Sequence, residues 1–162
     1  MRTSAPIRAE QSTVTWLTPP HVIAALGPFD LDPCGHPLSN TAERRIVLPE
    51  DGLAAEWAGR VWLNPPYGAE ITQWLRKMAD HADGVALIPS RTEVTSWFCP
   101  LVWERATALL FLRGRLKFLT DAGGTKGNAG HASVLAAYSV DDALALRASG
   151  LPGYFVPRPE RQ

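Results

Sequence analysis

Residues 61–89 read VWLNPPYGAEITQWLRKMADHADGVALIP, and three patterns follow one another within them. Val61-Trp62-Leu63 is a short apolar strand running into the turn Asn64-Pro65-Pro66-Tyr67-Gly68. Ala69 to Ala82 is an amphipathic helix, because Ile71, Trp74, Leu75 and Met78 recur at helical spacing. Gly84 to Pro89 is a continuous apolar run of the kind that forms a strand buried on both faces. Strand, helix and strand in this order predict an α/β fold whose sheet is parallel and covered on both sides.

The flanking sequence extends the pattern. Thr18 is placed to cap a helix reaching Leu26, with Pro19 in its first turn and Gly27-Pro28 as its stop. A buried strand at Phe29-Asp30-Leu31 ends in Asp32-Pro33-Cys34-Gly35, and Arg45 to Leu48 reads as another, broken by Pro49-Glu50-Asp51-Gly52. Downstream come a helix over Val94 to Arg105 interrupted at Cys99-Pro100, a strand over Ala108 to Leu112, and a possible strand over Arg115 to Leu119. A Gly-rich loop from Asp121 to Gly130, a strand from Ala132 to Tyr138 and a helix from Asp141 to Ala148 complete the series. No good helix separates the last two strong strands, so the expected sheet is mostly parallel with an antiparallel hairpin at its edge. The expected domain is 14–150, between a frayed tail at 1–13 and a C-terminal tail at 151–162.

Composition narrows the classes. Sixteen basic and sixteen acidic side chains cancel, so any polyanion-binding surface must come from local clustering. Cys34 and Cys99 match no zinc spacing and His21, His36, His81 and His131 none either, so no metal is expected. Unpaired cysteines and a polar start without an apolar leader predict a reduced, cytoplasmic protein, and no run reaches the ~18 apolar residues that span a bilayer. Trp57, Trp62, Trp74 and Trp103 are expected in the core.

Both distinctive polar segments, Asp32 to Gly35 and Asn64 to Tyr67, follow strands, where ligands of open α/β sheets bind. An exocyclic aromatic amine is a poor nucleophile because its lone pair is delocalised into the ring. A carboxamide oxygen from Asn64 and a backbone carbonyl from Pro65, on a chain stiffened by Pro66, can accept its two N–H groups and turn the lone pair outward. Tyr67 offers a flat face for an extruded base. A proline turn with a packed tyrosine is the plainer alternative.

The sequence resembles the phage and prophage DNA N-6-adenine-methyltransferases of the Dam type. The residues that carry the resemblance are Trp16-Leu17-Thr18-Pro19, Leu31-Asp32-Pro33-Cys34, Asp51-Gly52-Leu53, Val61 to Gly68, Ile88 to Thr92, Trp97-Phe98, Gly114 to Phe118 and Ala132-Ser133. It implies a Rossmann-like fold, S-adenosylmethionine as methyl donor, and adenine in double-stranded DNA, flipped out of the helix, as substrate. It also implies Asn64, Pro65, Pro66 and Tyr67 as the catalytic tetrapeptide, with Asn64 contacting the cofactor as well. Thr18 and Pro19 then begin the segment that contacts the methionine part of the cofactor. Asp32, Pro33, Cys34 and Gly35 form the first cofactor loop, and Asp51 reaches the adenosine. Trp16 covers the cofactor or staples the following helix. The usual glycine-rich turn is reduced here to Gly35 followed by His36-Pro37.

Arg91, Trp97, Arg113, Arg115, Lys117 and Lys126 are the candidate DNA contacts, with the Gly-rich loop beside them; ordinary solvated charge is the alternative for each alone. Expected partners are DNA, no membrane, and at most a weak dimer of the chain, in the cytoplasm of a bacterium carrying the phage gene. Two rival readings remain: methylation of protein glutamine or RNA adenine, and a non-catalytic nucleic-acid binder on the same scaffold.

Overall fold

A computed structural model describes residues 16–120, 124 and 130–158. Helices α1 (Pro20–Leu26), α2 (Ile71–His81) and α3 (Val140–Ala148) surround a single sheet. Its strands are β1 (Leu31–Asp32), β2 (Arg44–Arg45), β3 (Val61–Leu63), β4 (Gly84–Pro89), β5 (Ala108–Leu112), β6 (Ser133–Ala137) and β7 (Gly153–Pro157). They lie in the order β2-β1-β3-β4-β6-β5-β7.

Pairs β1·β2, β1·β3 and β3·β4 are parallel, while β6 runs against both β4 and β5, and β7 against β5. Strands β1 to β5 therefore point one way, and β6 and β7 the other. The expected antiparallel pair exists, but β6 is inserted between β4 and β5 and is not an edge. The edge is β7, inside the segment expected to be a tail. Phe155 and Val156, half-buried and packed against the two opposite core faces, stand in register with Leu110 and Leu109, which is enough apolar pairing to hold it.

Side-chain alternation divides the core in two. On β4, Ala86 and Ile88 face α2, whose Trp74, Leu75 and Met78 are buried, and the Phe98–Trp103 turn. Val85 and Leu87 face the other way, toward Val22 and Leu26 of α1 and Leu146 of α3. A strand buried on both faces needs no polar alternation, which is why β4 reads as an unbroken apolar run. Trp62 and Trp74 are buried as expected, and Trp57 and Trp103 pack partly exposed against the same core.

Three local expectations change. The Val94 to Arg105 segment is a π-helical turn at Phe98–Trp103, with Glu104 N–H bonded to the Cys99 carbonyl at 3.2 Å. Pro100 has no N–H to donate, and the wider turn accommodates the missing bond. Arg115 to Leu119 forms no strand beyond one bridge, Leu17 to Leu119. Thr18 does not cap α1: Pro19 occupies that place without a side-chain bond, and the Thr18 hydroxyl serves elsewhere. Among the described residues no helix is long and apolar enough to cross a membrane.

A charged cluster fastens the amino ends of the central strands. Asp142 is fully buried; it receives Arg60 Nε at 2.6 Å, the Gly84 N–H at 2.6 Å and the Ser139 hydroxyl at 2.6 Å. Arg60 Nη1 donates to the carbonyls of Leu26 at 2.9 Å and Pro28 at 3.0 Å, and its guanidinium lies 4.2 Å from the Phe29 ring centroid. Removing one partner strands the other charge. Asp142→Ala is expected to lower the unfolding free energy by about 3–5 kcal/mol, read from urea denaturation followed by tryptophan fluorescence.

Candidate active site

Chain order reverses direction across the sheet between β1 and β3, since β2 lies on one side and β4 on the other. Loops leaving two such strands diverge and leave a crevice at their carboxyl ends. A cleft of about 730 Å³ lies there, walled by residues 16–18, 32–36, 48–53 and 64–67 with Glu70 and Trp74. The four tetrapeptide residues and Trp16, Thr18, Asp32, Pro33, Cys34, Gly35 and Asp51 therefore converge on one space. Pro19 is adjacent in sequence but does not line it.

Asn64 follows fully buried Leu63, which fixes where it leaves the sheet. Its Nδ2 donates to the Trp16 carbonyl at 3.2 Å and to the Thr18 hydroxyl at 3.4 Å. A carbonyl only accepts, so the amide nitrogen is turned to the 16–18 strap and Oδ1 remains as the acceptor end. Pro65 is buried and Pro66 exposed, and Tyr67 is 40% exposed. Desolvation around the Tyr67 hydroxyl nevertheless raises its pKa, so the phenol stays neutral and offers its ring as a surface.

The loop after β1 is shaped by its acid. Asp32 is 3% exposed; Oδ1 accepts the Cys34 N–H at 3.0 Å and Oδ2 accepts the Thr41 hydroxyl. Burial pushes Asp32 up to about 6, against the pull of Thr41, Cys34 and Arg45. Each oxygen of this carboxyl thus takes one hydrogen bond from its own loop. Burial, then the charges of Asp32 and Glu70, push the Cys34 thiol up, so it stays protonated and is no nucleophile. His36 shapes the same loop, its Nδ1 accepting the Leu38 N–H at 3.2 Å.

The third wall is latched to α2. Asp51 Oδ1 accepts the Leu53 N–H at 2.8 Å, Trp57 Nε1 donates to the Gly52 carbonyl at 2.8 Å, and Lys77 Nζ donates to the Leu53 carbonyl at 2.6 Å and to that of Ala55. Gly52 presses on the first loop: a Cβ there would fall 2.0 Å from the Pro33 carbonyl oxygen. Sequence reasoning missed Thr41, Glu70 and Lys77 here. Glu70 was within reach of it, one helical turn before Trp74 on the face that lines the cleft. Thr41 lies nine positions from Asp32 and no spacing rule connects them.

Acids gather inside: Asp32, Glu50, Asp51 and Glu70 line the cleft, and no lysine or arginine does among the described residues. Cations sit outside. β4 and β5 share the direction of β3, so Arg91 beyond β4 and Arg113, Arg115 and Lys117 beyond β5 emerge at the same edge as the cleft, all exposed. Arg91 pairs with Glu93 at 3.2 Å, an exposed contact that water weakens. The Leu17–Leu119 bridge then brings the end of the basic run against the cleft wall. Trp97 departs from expectation: 7% exposed, its ring packs 5.5 Å from that of Phe98, so it belongs to the core and not to a binding surface. Lys126 lies outside the described residues.

A family model described as DNA N-6-adenine-methyltransferase (Dam) matches residues 8–140. No curated protein and no solved structure matches the chain significantly.

Two outcomes follow from the cleft walls. Asp32 carries a proton more readily folded than unfolded, so its contribution to stability is full below pH 3.8 and is lost as pH rises through about 6. In pH-dependent denaturation the stability of Asp32→Asn relative to the parent should therefore rise by up to about 3 kcal/mol between pH 4 and 7 and then level off. Gly52→Ala must part the two loops, and it is expected to lower the unfolding free energy by about 1–3 kcal/mol in urea denaturation while α2 helicity persists.

Proposed function

The chain belongs to the DNA N-6-adenine-methyltransferase (Dam) family, and from that premise we propose that it methylates the exocyclic amine of adenine in DNA, using S-adenosylmethionine. The single observation that carries this reading is the commitment of Asn64 Nδ2 to the Trp16 carbonyl and Thr18 hydroxyl. It leaves a carboxamide oxygen at the head of a cleft, next to the prolines of the tetrapeptide, as the chemistry of amine activation requires. The crevice between β1 and β3 and the reversed β6 support a Rossmann-like fold of the S-adenosylmethionine-dependent kind.

The cleft suits the donor. Its volume of about 730 Å³ lies within the range of small-molecule sites, and its acids match a ligand that bears a sulfonium and an ammonium group. Glu50, Asp51 and Glu70 are the charges available to it, with Trp16 and Trp74 as apolar walls. Bound there, S-adenosylmethionine supplies an electrophilic methyl group.

The chain's own residues prepare the amine. Asn64 Oδ1 and the Pro65 carbonyl accept its two N–H groups, so the nitrogen moves toward tetrahedral geometry and its lone pair points away from both acceptors. Tyr67 stacks on the base through its exposed ring, which offsets part of the few kcal/mol of unstacking that extrusion from a duplex costs. No protein base of low pKa is needed, because the alkylated nitrogen is acidic and releases its proton to water. Arg91, Arg113, Arg115 and Lys117 hold phosphates along the same edge. We place the protein in the cytoplasm of a bacterial host, encoded by a phage or prophage and acting as a monomer or weak dimer; the unpaired Cys34 and Cys99 suit that compartment.

Incubation with tritiated S-adenosylmethionine and unmethylated duplex DNA, followed by nucleoside analysis, should place the label on N6-methyladenine. Asn64→Ala should reduce it by at least about 100-fold while the cofactor still binds. Label on RNA or on protein glutamine instead of DNA, or cofactor binding without transfer to any of them, would overturn the proposal.

A further inference from the structure

A carboxamide can turn over without changing its shape, so sterics alone do not decide which end of Asn64 faces a substrate. The wrong end would point N–H groups at the N–H groups of an amine. Something polar must choose. Three observations identify it. The Trp16 carbonyl lies 3.2 Å from Nδ2 and, having no proton, excludes the flipped amide. The Thr18 hydroxyl can donate or accept and so does not choose the end by itself. It lies 3.4 Å from the same nitrogen and adds a second acceptor to the orientation the carbonyl selects, on a residue only 8% exposed where a lost partner is not readily replaced by water. That hydroxyl has no helix-capping duty, since Pro19 begins α1 without a side-chain bond.

The strap carrying both acceptors is itself held. Leu17 and Leu119 exchange N–H to carbonyl bonds of 3.1 Å in both directions, and the Trp16 ring meets the fully buried Phe118 ring edge-on at 5.2 Å. The Trp16 carbonyl is thus anchored on both sides.

We propose that Thr18 is a positioning residue: with the Trp16 carbonyl it locks the Asn64 carboxamide with its oxygen toward the reacting amine. This rests on the methyltransferase reading above. It assigns to Thr18 a duty toward Asn64 that differs from contact with the cofactor. The duty concerns turnover, so its loss should fall on kcat and spare the affinity for either ligand.

The test compares Thr18→Val, which keeps the shape and removes the acceptor, with Thr18→Ser, which keeps the hydroxyl. Steady-state methylation of duplex DNA gives kcat and KM, calorimetry gives the Kd for S-adenosylmethionine, and a melting curve checks the fold; Thr18→Ala replaces the valine variant if that does not fold. Thr18→Val should lower kcat about 10- to 100-fold with KM and Kd within about threefold of the parent, and Thr18→Ser should recover most of the loss. The proposal is overturned by a kcat for Thr18→Val within about threefold of the parent, by a loss matched by weaker cofactor binding, or by a serine variant as impaired as the valine one. If the unsubstituted protein transfers no methyl group at all, the underlying functional reading fails first, and this result is distinguishable from all three.

Discussion

The Arg60–Asp142 pair holds the end of the sheet opposite the cleft, and the geometry of the cleft depends on it. Two charges removed from water are costly, and only close geometry with further hydrogen bonds offsets that cost. Here one carboxylate gathers Arg60, the first N–H of β4 and the start of α3, while the guanidinium gathers the end of α1. Only the three residues of β3 separate Arg60 from Asn64. At about 3.3 Å per residue, a shift at the charged end would be carried along the strand to the tetrapeptide.

Charge is sorted between the inside of the cleft and its surroundings. Acids line the cavity and exposed cations follow β4 and β5 along the same edge. A cationic small molecule is drawn inward and a polyanion is held at the rim, each repelled from the other's place. The chain's net charge of zero concealed this arrangement, because the two sets cancel in the sum and separate only in space.

What the sequence made legible was local. The unbroken apolar run of β4, the helical spacing in α2 and the strand leading into Asn64 are signals contained in a few neighbouring residues. So was the family, because its motifs recur in order. What stayed hidden needed contacts over long separations. Nothing near Arg60 announces Asp142, 82 positions later. Thr18 looked like a helix cap until Asn64, 46 positions away, claimed its hydroxyl. Trp97 looked like a stacking surface because an indole reads alike whether it meets Phe98 or solvent. The insertion of β6 between β4 and β5 is likewise a matter of pairing, which composition does not encode.

The last strand guards its neighbour. β5 reads Ala-Leu-Leu-Phe-Leu and pairs along its length with β7. A protein trimmed ahead of Gly153 would bare that apolar edge and leave a row of amides and carbonyls ready to template pairing with another molecule. Pro157, which has no N–H to offer, makes β7 itself a poorer template. Solubility after truncation is therefore decided by these five residues, far from any chemistry the cleft performs.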